Sequence, residues 1–262
     1  MRLTKLKISN FRSYREETVI PISDLTAILG RNDVGKSTIL EALEIFFNQD
    51  IVKIDQQDKC VHTDGNKVQI TCVFDELPDS LIIDSSSETT LKNEYLTNSD
   101  GEFEVVKEFD CGLKTPKETV FTKAMHPTNA NLSDLLQLKN SDLKKRATEI
   151  NVNLQEVNKS SNAELRKAIR EKVNNPQTSE TLIPLSKDDG KKVWEAVQKS
   201  LPLFALFQSD RPSKDDDREV SDPMKLAVQA AVREVQDDLD RIKKKVQESV
   251  LEVARRTLAK LT

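Results

Sequence analysis

The sequence predicts an α/β fold in which short strands come first and helices dominate the second half of the chain. Three observations support this prediction. Short runs that are alternately or fully apolar occupy residues 1–29. A glycine-containing loop and a segment with helical spacing follow them, and from residue 131 the composition changes to Lys, Glu, Asn and Gln, which is typical of exposed helices.

Three strands are predicted before the glycine loop. Leu6 and Ile8 alternate with lysines, which is typical of a half-buried strand, and residues 18–22 form a second apolar run. Residues 25–29 are nearly all apolar, so we expect a third strand that is buried on both faces.

Further strands are predicted beyond the loop. Apolar residues alternate over positions 67–72, and a hairpin is expected with its turn at residues 98–101 and its return strand at 103–105. Among the later helices, a short apolar run at 203–207 predicts a strand that returns to the first part of the fold.

The last segment, residues 221–262, predicts the longest helix, with Asp222 as its N-cap and Pro223 in its first turn. Its apolar residues are spaced alternately by four and three, as in a heptad seam. They are Val228, Val232, Val235, Leu239, Ile242 and Val246. The spacing fits a dimerising coiled coil and equally an amphipathic helix that packs on its own domain.

Composition excludes some classes of function. A net charge of −4 argues against extensive wrapping of nucleic acid, although it allows a local basic strip. The three cysteines lack CxxC spacing and only two histidines are present, so we expect reduced thiols in a cytoplasmic protein and no structural zinc. Charged residues interrupt every apolar run before it is long enough to span a bilayer, so we expect no membrane association.

The glycine loop carries the most specific chemical signal. Residues 30–37 read Gly-Arg-Asn-Asp-Val-Gly-Lys-Ser, which matches the GxxxxGK[ST] phosphate-binding loop (P-loop), and the segment after it has the apolar stripe of an amphipathic helix. In such a loop, backbone N–H groups converge on phosphates at a helix N-terminus. The predicted nucleotide-binding residues are Gly30, Arg31, Asn32, Asp33, Val34, Gly35, Lys36, Ser37 and Thr38.

Two side chains of the loop have distinct expected roles. Lys36 is expected to reach the β- and γ-phosphates of ATP, and the Ser37 hydroxyl is expected to ligate Mg²⁺. The predicted cofactors are therefore ATP and Mg²⁺.

Residues 10–13 (Asn-Phe-Arg-Ser), the strands after them and the P-loop together resemble the ABC-type ATPase heads of the RecF and structural-maintenance-of-chromosomes (SMC) group. Within that group, residues 32–37 resemble the OLD (overcoming lysogenization defect) family, which includes the Gabija nuclease and the ATPases of Septu and retron systems. The resemblance covers residues 1–78. It implies that Arg12 and Ser13 lie near the nucleotide, and that Gln56 or Gln57 contacts Mg²⁺ and water.

Residues 70–76 look like a Walker B strand, with apolar residues followed by Asp75 and Glu76. In ABC-type heads that strand comes much later in the chain. We therefore expect these two acids to be structural, on an antiparallel edge strand. No catalytic residue is predicted within these 262 residues.

The remaining ABC-type elements are not found. The six glycines are isolated, whereas a signature loop needs glycines close together, and no strand in the last third ends in Asp-Glu. The resemblance therefore implies an N-terminal lobe at 1–130, a helical insertion at 131–220 and the start of a dimerisation arm at 221–262. It also implies that the catalytic half and any effector domain lie outside this sequence.

The resemblance implies an ATP-hydrolysing head that controls a DNA-directed activity, as an OLD-type nuclease or its ATPase subunit in antiphage defence. The alternative is an ATP-gated scaffold that binds and releases an effector protein without acting on DNA. Either function implies a homodimer or higher homo-oligomer joined through the helical arm.

Overall fold

The computed structural model describes residues 1–31, 35–84, 87–155, 157–173 and 176–206, together with the single residues Val232, Val235 and Val246. Residues 1–204 form one compact unit and residues 205–262 belong to a second. The first unit contains both strands and helices, which confirms the predicted α/β class.

An antiparallel sheet of six strands forms the body of the first unit. In chain order the strands are β1 (Arg2–Ser9), β2 (Thr18–Pro21), β3 (Lys67–Asp75), β4 (Leu81–Asp84), β5 (Ser87–Thr89), β6 (Phe103–Asp110), β7 (Lys117–Pro127) and β8 (Thr178–Pro184). The spatial order in the large sheet is β2-β1-β3-β6-β7-β8, and β4 and β5 form a separate sheet of two strands. The described helices are α1 (Lys36–Phe47), α2 (Asn140–Glu149), α3 (Asn162–Lys172) and α4 (Asp188–Gln198).

Helix α1 packs on the sheet through the stripe that its spacing predicts. Ile39, Leu43 and Phe46 are buried in the main core, and the rings of Phe46 and Phe74 of β3 lie 6.2 Å apart. Because this stripe fixes the rotation of the helix on the sheet, it also fixes where the first turn of the helix points.

The predicted third strand at residues 25–29 is wrong. These residues belong to no strand, and the side chains of Leu25 and Leu29 are 90% and 91% exposed. An apolar run becomes a buried strand only when neighbouring strands supply hydrogen-bond partners and cover both faces. None of the described strands pairs with this segment.

Strand β3 is antiparallel as expected, but it is not an edge strand. It lies between β1 and β6, with Leu6 paired to Cys72 and Cys72 paired to Val105. Its long buried stretch reflects this interior position.

The predicted turn at 98–101 exists, but its hairpin does not. The N–H of Gly101 donates to the Asn98 carbonyl oxygen at 3.1 Å, and Gly101 has a φ of 79°, which favours glycine. The return strand is β6, yet none of the described strands leads directly into the turn, and β6 pairs with β3 and β7 instead.

Helices α2 and α3 and the segment before α2 have a small core of their own, separate from the main core. Its buried residues are Leu132, Leu135, Leu143, Ala147, Leu165 and Ile169. Gly190 lies in the first turn of helix α4, where a Cβ would lie 2.7 Å from the Pro184 carbonyl oxygen, so a side chain would prevent this close approach of helix and strand.

The predicted strand at 203–207 is wrong over its described part, because residues 203–206 belong to no strand. The chain nevertheless returns to the sheet unit at Phe204. Its ring stacks on Phe47 at 5.6 Å, and its carbonyl oxygen accepts from Asn48 Nδ2 at 3.0 Å.

Most of the predicted long helix, with Asp222, Pro223 and half of its seam, lies outside the described residues. Val232, Val235 and Val246 are helical, and each is more than half exposed. No helix in the described part of the chain is long and apolar enough to cross a membrane.

Candidate functional site

The N-terminus of α1 is built around Gly35. This residue is the N-cap and has a φ of 89°, in the left-handed region. A Cβ at this position would lie 2.7 Å from Ser13 Oγ and 3.2 Å from the Tyr14 ring. Backbone conformation and crowding therefore both require glycine here, and residues 13 and 14 lie directly against the loop.

The first turn of α1 is suited to an anion. No side chain caps it, and it contains no acidic residue. The unpaired N–H groups of a helix N-terminus and the helix dipole both favour negative charge. Ser37 is exposed at this turn, while Thr38 is buried beneath it.

The Lys36 ammonium group folds back onto the loop. Its Nζ donates to the Gly30 carbonyl oxygen at 2.9 Å and also to the Arg31 carbonyl oxygen. A lysine ammonium is a point charge on a flexible stem, so it can exchange such carbonyl contacts for phosphate oxygens without rearranging the loop. The residues between Arg31 and Gly35, namely Asn32, Asp33 and Val34, lie outside the described residues.

Tyr14 also holds the loop, and the sequence contains no signal for this role. Its hydroxyl donates to the Gly35 carbonyl oxygen at 3.1 Å. Burial raises the pKa of the Tyr14 phenol, which favours the neutral form that acts as a donor.

Arg12 is held by two carboxylates. Its Nε donates to Asp58 Oδ1 at 2.8 Å, and its Nη1 pairs with Glu41 of α1. Burial lowers the pKa of Arg12, but the hydrogen bonds to Asp58 and Glu41 outweigh burial and raise it. Arg12 thus ties α1 to the short 3₁₀ turn Gln56–Asp58.

The resemblance places Arg12, Ser13 and one of two glutamines beside the nucleotide. In the structure Ser13 lies against Gly35, whereas the guanidinium of Arg12 is occupied by its carboxylate partners. Gln56 and Gln57 are exposed on the 3₁₀ turn that Arg12 binds.

The two acids at the end of β3 have a structural partner. Asp75 forms an ion pair with Arg2 at 2.5 Å, and Glu76 lies 3.5 Å from the same guanidinium. The hydrogen bond and charge of Arg2 lower the pKa of Asp75. These contacts favour the structural interpretation of the Walker B look-alike.

Comparisons with known proteins agree with the prediction that this chain is part of an ATPase. A family model described as AAA ATPase domain matches residues 1–262. The chromosome partition protein Smc of Bordetella petrii is 48% identical over 44 residues, which are 16% of this chain and 4% of that protein. Structural maintenance of chromosomes protein 1 of Schizosaccharomyces pombe is 44% identical over 43 residues, again 16% of this chain and 4% of that protein.

This chain thus spans 4% of the length of those two relatives. Among solved structures, it is similar to the SMC head domain from Thermotoga maritima, with 19% identity and a TM-score of 0.30. That match covers 59% of this chain and 52% of the other. The family model and the two sequence relatives agree with the predicted ATPase of the SMC-like type.

Proposed function

This chain belongs to the AAA ATPase domain family, and on that premise we propose that residues 30–38 bind the phosphates of MgATP. The observation that carries the proposal is the geometry at Gly35. A glycine in the left-handed region opens a helix whose first turn has no competing acid or cap. The ammonium group of Lys36 lies within the same loop.

Each residue of the loop has a role in the proposal. The N–H groups of the first turn and the Lys36 ammonium would bind phosphate oxygens, and the Ser37 hydroxyl would ligate Mg²⁺. Bound Mg²⁺ would neutralise phosphate charge as it develops. Ser13 and Tyr14 would keep the backbone of Gly35 in its binding conformation, since both pack against it.

ATP hydrolysis also needs a group that polarises the attacking water. We propose that segments outside residues 1–262 supply this group. Asp75 and Glu76 are engaged with Arg2. The exposed apolar side chains of Leu25 and Leu29, immediately before the P-loop, support a further segment that packs on this edge. Residues 1–130 would then be the N-terminal lobe, with 131–220 as an insertion and 221–262 as the start of a dimerisation arm.

We propose that the complete protein is a cytoplasmic homodimer of the OLD type that couples ATP hydrolysis to a DNA-directed nuclease activity in antiphage defence. The resemblance over residues 10–13 and 32–37 supports this proposal. The alternative is an ATP-gated scaffold for an effector protein.

Measuring ATP hydrolysis and DNA cleavage by the complete protein, with and without duplex DNA, tests the proposal. We expect Lys36-dependent hydrolysis that DNA stimulates, and cleavage that Lys36→Ala abolishes. Lys53→Ala, which removes an exposed lysine outside residues 30–38, is the control and should behave like the wild type. ATP hydrolysis that DNA does not stimulate, together with no DNA cleavage, would favour the scaffold. ATP hydrolysis by the Lys36→Ala variant at the rate of the wild type would refute the ATP site.

A further inference from the structure

A tight turn of four residues, 11–14, connects the end of β1 with the P-loop. The N–H of Phe11 donates to the Tyr14 carbonyl oxygen at 2.9 Å, and the N–H of Tyr14 donates to the Phe11 carbonyl oxygen at 2.8 Å. Arg12 and Ser13 lie between them at the tip of the turn. Ser13 and Tyr14 are also the residues that pack against Gly35. The position of this turn therefore determines how the backbone of Gly35 is supported.

The turn needs contacts from outside to keep its conformation. Asn10 and Arg12 have φ values of 52° and 49°, in the left-handed region that residues other than glycine seldom adopt. Backbone in such a sparsely populated conformation persists only where the surrounding structure fixes it. An isolated hairpin is also at best marginally stable in water. The contacts that hold the turn are therefore part of what supports Gly35.

The side chain of Asn10 supplies such contacts, and it is buried. Its Nδ2 donates to the carbonyl oxygens of Gly65 and Lys67 at 2.9 Å and 3.0 Å. Its Oδ1 accepts from the Cys60 N–H at 3.2 Å and from the Thr63 hydroxyl. A side-chain amide has two N–H donors and two acceptor sites on its oxygen, so all four are used here. An aspartate or a leucine of similar size would leave both carbonyl oxygens without this donor.

These contacts attach the turn to the loop at residues 60–67, which leads into β3. The backbone of the turn is held on the same side, because the Arg12 N–H donates to the Asp58 carbonyl oxygen at 2.6 Å. The ring of Phe11 is fully buried in the main core. The turn is thus fixed to the neighbouring loop and the core, while its tip packs on Gly35.

We propose that Asn10 is a positioning residue of the nucleotide site, which holds the turn where Ser13 and Tyr14 support Gly35. This inference rests on the proposed binding of MgATP by the P-loop. Asn10 acts through the turn, and its effect on ATP affinity depends on the contact between Tyr14 and Gly35. The loop at 60–67 is therefore part of the support of the site, because Asn10 joins it to the turn.

The test is a double-mutant cycle, measured by fluorescent-ATP titration of the full chain in the presence of Mg²⁺. Asn10→Gly accepts the left-handed φ but removes all four side-chain hydrogen bonds, so we expect ATP affinity to fall at least about threefold. In that background Tyr14→Phe should weaken the affinity by less than about twofold, although alone it weakens it about three- to tenfold. A residue that served only overall folding would leave the two effects independent, so that the factors would multiply.

Thr122→Val is the matched control for the loss of hydrogen bonds by a buried side chain. Thr122 lies in β7 and donates to the carbonyl oxygens of Leu96 and Glu104 at 3.3 Å and 2.9 Å. This control should bind ATP like the wild type. If Asn10→Gly is unfolded by circular dichroism, variants of Thr63 decide the question. Thr63→Val loses the hydroxyl and should weaken the affinity about twofold or more, whereas Thr63→Ser keeps the hydroxyl and should bind like the wild type.

Four results would overturn the proposal. They are equal affinity of Asn10→Gly and the wild type, factors that multiply in the double variant, an equal loss in Thr122→Val, and equal affinity of the two Thr63 variants. Lys36→Ala is measured in the same series. A loss of affinity in Lys36→Ala with none in Asn10→Gly would overturn the positioning role alone. Equal affinity of Lys36→Ala and the wild type would refute the ATP site on which that role rests.

Discussion

Tyr14 and Gly35 are 21 positions apart in the sequence, yet the phenol of one holds the backbone of the other. A P-loop motif defines which residues follow one another around the phosphates, but not what keeps the loop in shape. In this chain that support comes from Ser13 and Tyr14, which fill the space that a Cβ at Gly35 would need.

Tyr14→Phe tests this support at the scale of one hydrogen bond. The variant keeps the ring and removes the donor to Gly35, so we expect ATP affinity to fall about three- to tenfold. Fluorescent-nucleotide titration measures the effect, with Tyr95→Phe, which removes the only other phenol of the chain, as the control. Unchanged affinity in Tyr14→Phe would mean that the hydroxyl does not support the loop.

The lowered pKa of Glu94 predicts how the stability of the fold depends on pH. Burial alone would raise its pKa, but the charges of Arg170 and Arg166 lower the pKa from 4.5 to about 2. The stabilisation is therefore fully present above about pH 4.5 and is lost as the pH falls towards 2.

Glu94→Gln should lower the free energy of unfolding at neutral pH by about 3–5 kcal/mol, because it leaves two buried arginines without their shared charge. Urea denaturation between pH 7 and pH 2.5 should also show a shallower loss of stability in the variant than in the wild type. The other carboxylates are common to both proteins, so parallel pH profiles would contradict the low pKa of Glu94.

At the scale of elements, strand β3 shows why a motif needs its context. The strand ends in two acids like a Walker B strand, yet it runs antiparallel between β1 and β6, and its acids contact Arg2. The contacts of the acids, rather than their spacing, indicate what they do.

Glu76→Gln tests the structural interpretation in the complete protein. Because Glu76 is 64% exposed beside Arg2, we expect ATP hydrolysis to stay within about threefold of the wild type. A general base would instead lose on the order of a hundredfold or more. A variant that binds ATP but does not hydrolyse it would show that Glu76 is catalytic.

Elements with a local signal could be predicted from the sequence. The apolar stripe of Ile39, Leu43 and Phe46 indicates both helix α1 and its buried face. The predicted strand at 25–29 is wrong, because an apolar run does not reveal whether neighbouring strands are present. Strand β8 cannot be predicted in this way, because its first five residues are all exposed on the sheet edge and show no apolar alternation.

In the candidate site, too, some residues could be predicted from the sequence and others could not. The motif predicts Gly35, Lys36 and Ser37, since a P-loop is contiguous in sequence. The hydroxyl of Tyr14 and the carboxylates around Arg12 come from distant positions, so only the fold brings them together.

At the scale of the whole molecule, we expect the predicted helix at residues 221–262 to pair with a second copy of the chain. Val235 and Val246 are more than half exposed and lie on the predicted seam. Changing both to Asp should reduce the sedimenting mass to that of a monomer, because a buried interface does not tolerate unpaired charge. Changing both to Leu keeps the seam apolar and should preserve the assembly. If the Asp double variant keeps both its helix content and its mass, the seam is not the assembly surface.

Binding of MgATP through Lys36 is the central claim, and titration of the chain with fluorescent ATP in the presence of Mg²⁺ tests it most directly. Lys36 lies at the first turn of α1 with its ammonium on the loop carbonyl oxygens. We expect Lys36→Ala to weaken affinity at least about tenfold, which is about 1.4 kcal/mol, while Lys53→Ala binds like the wild type. Equal affinity in the wild type and Lys36→Ala would contradict the account.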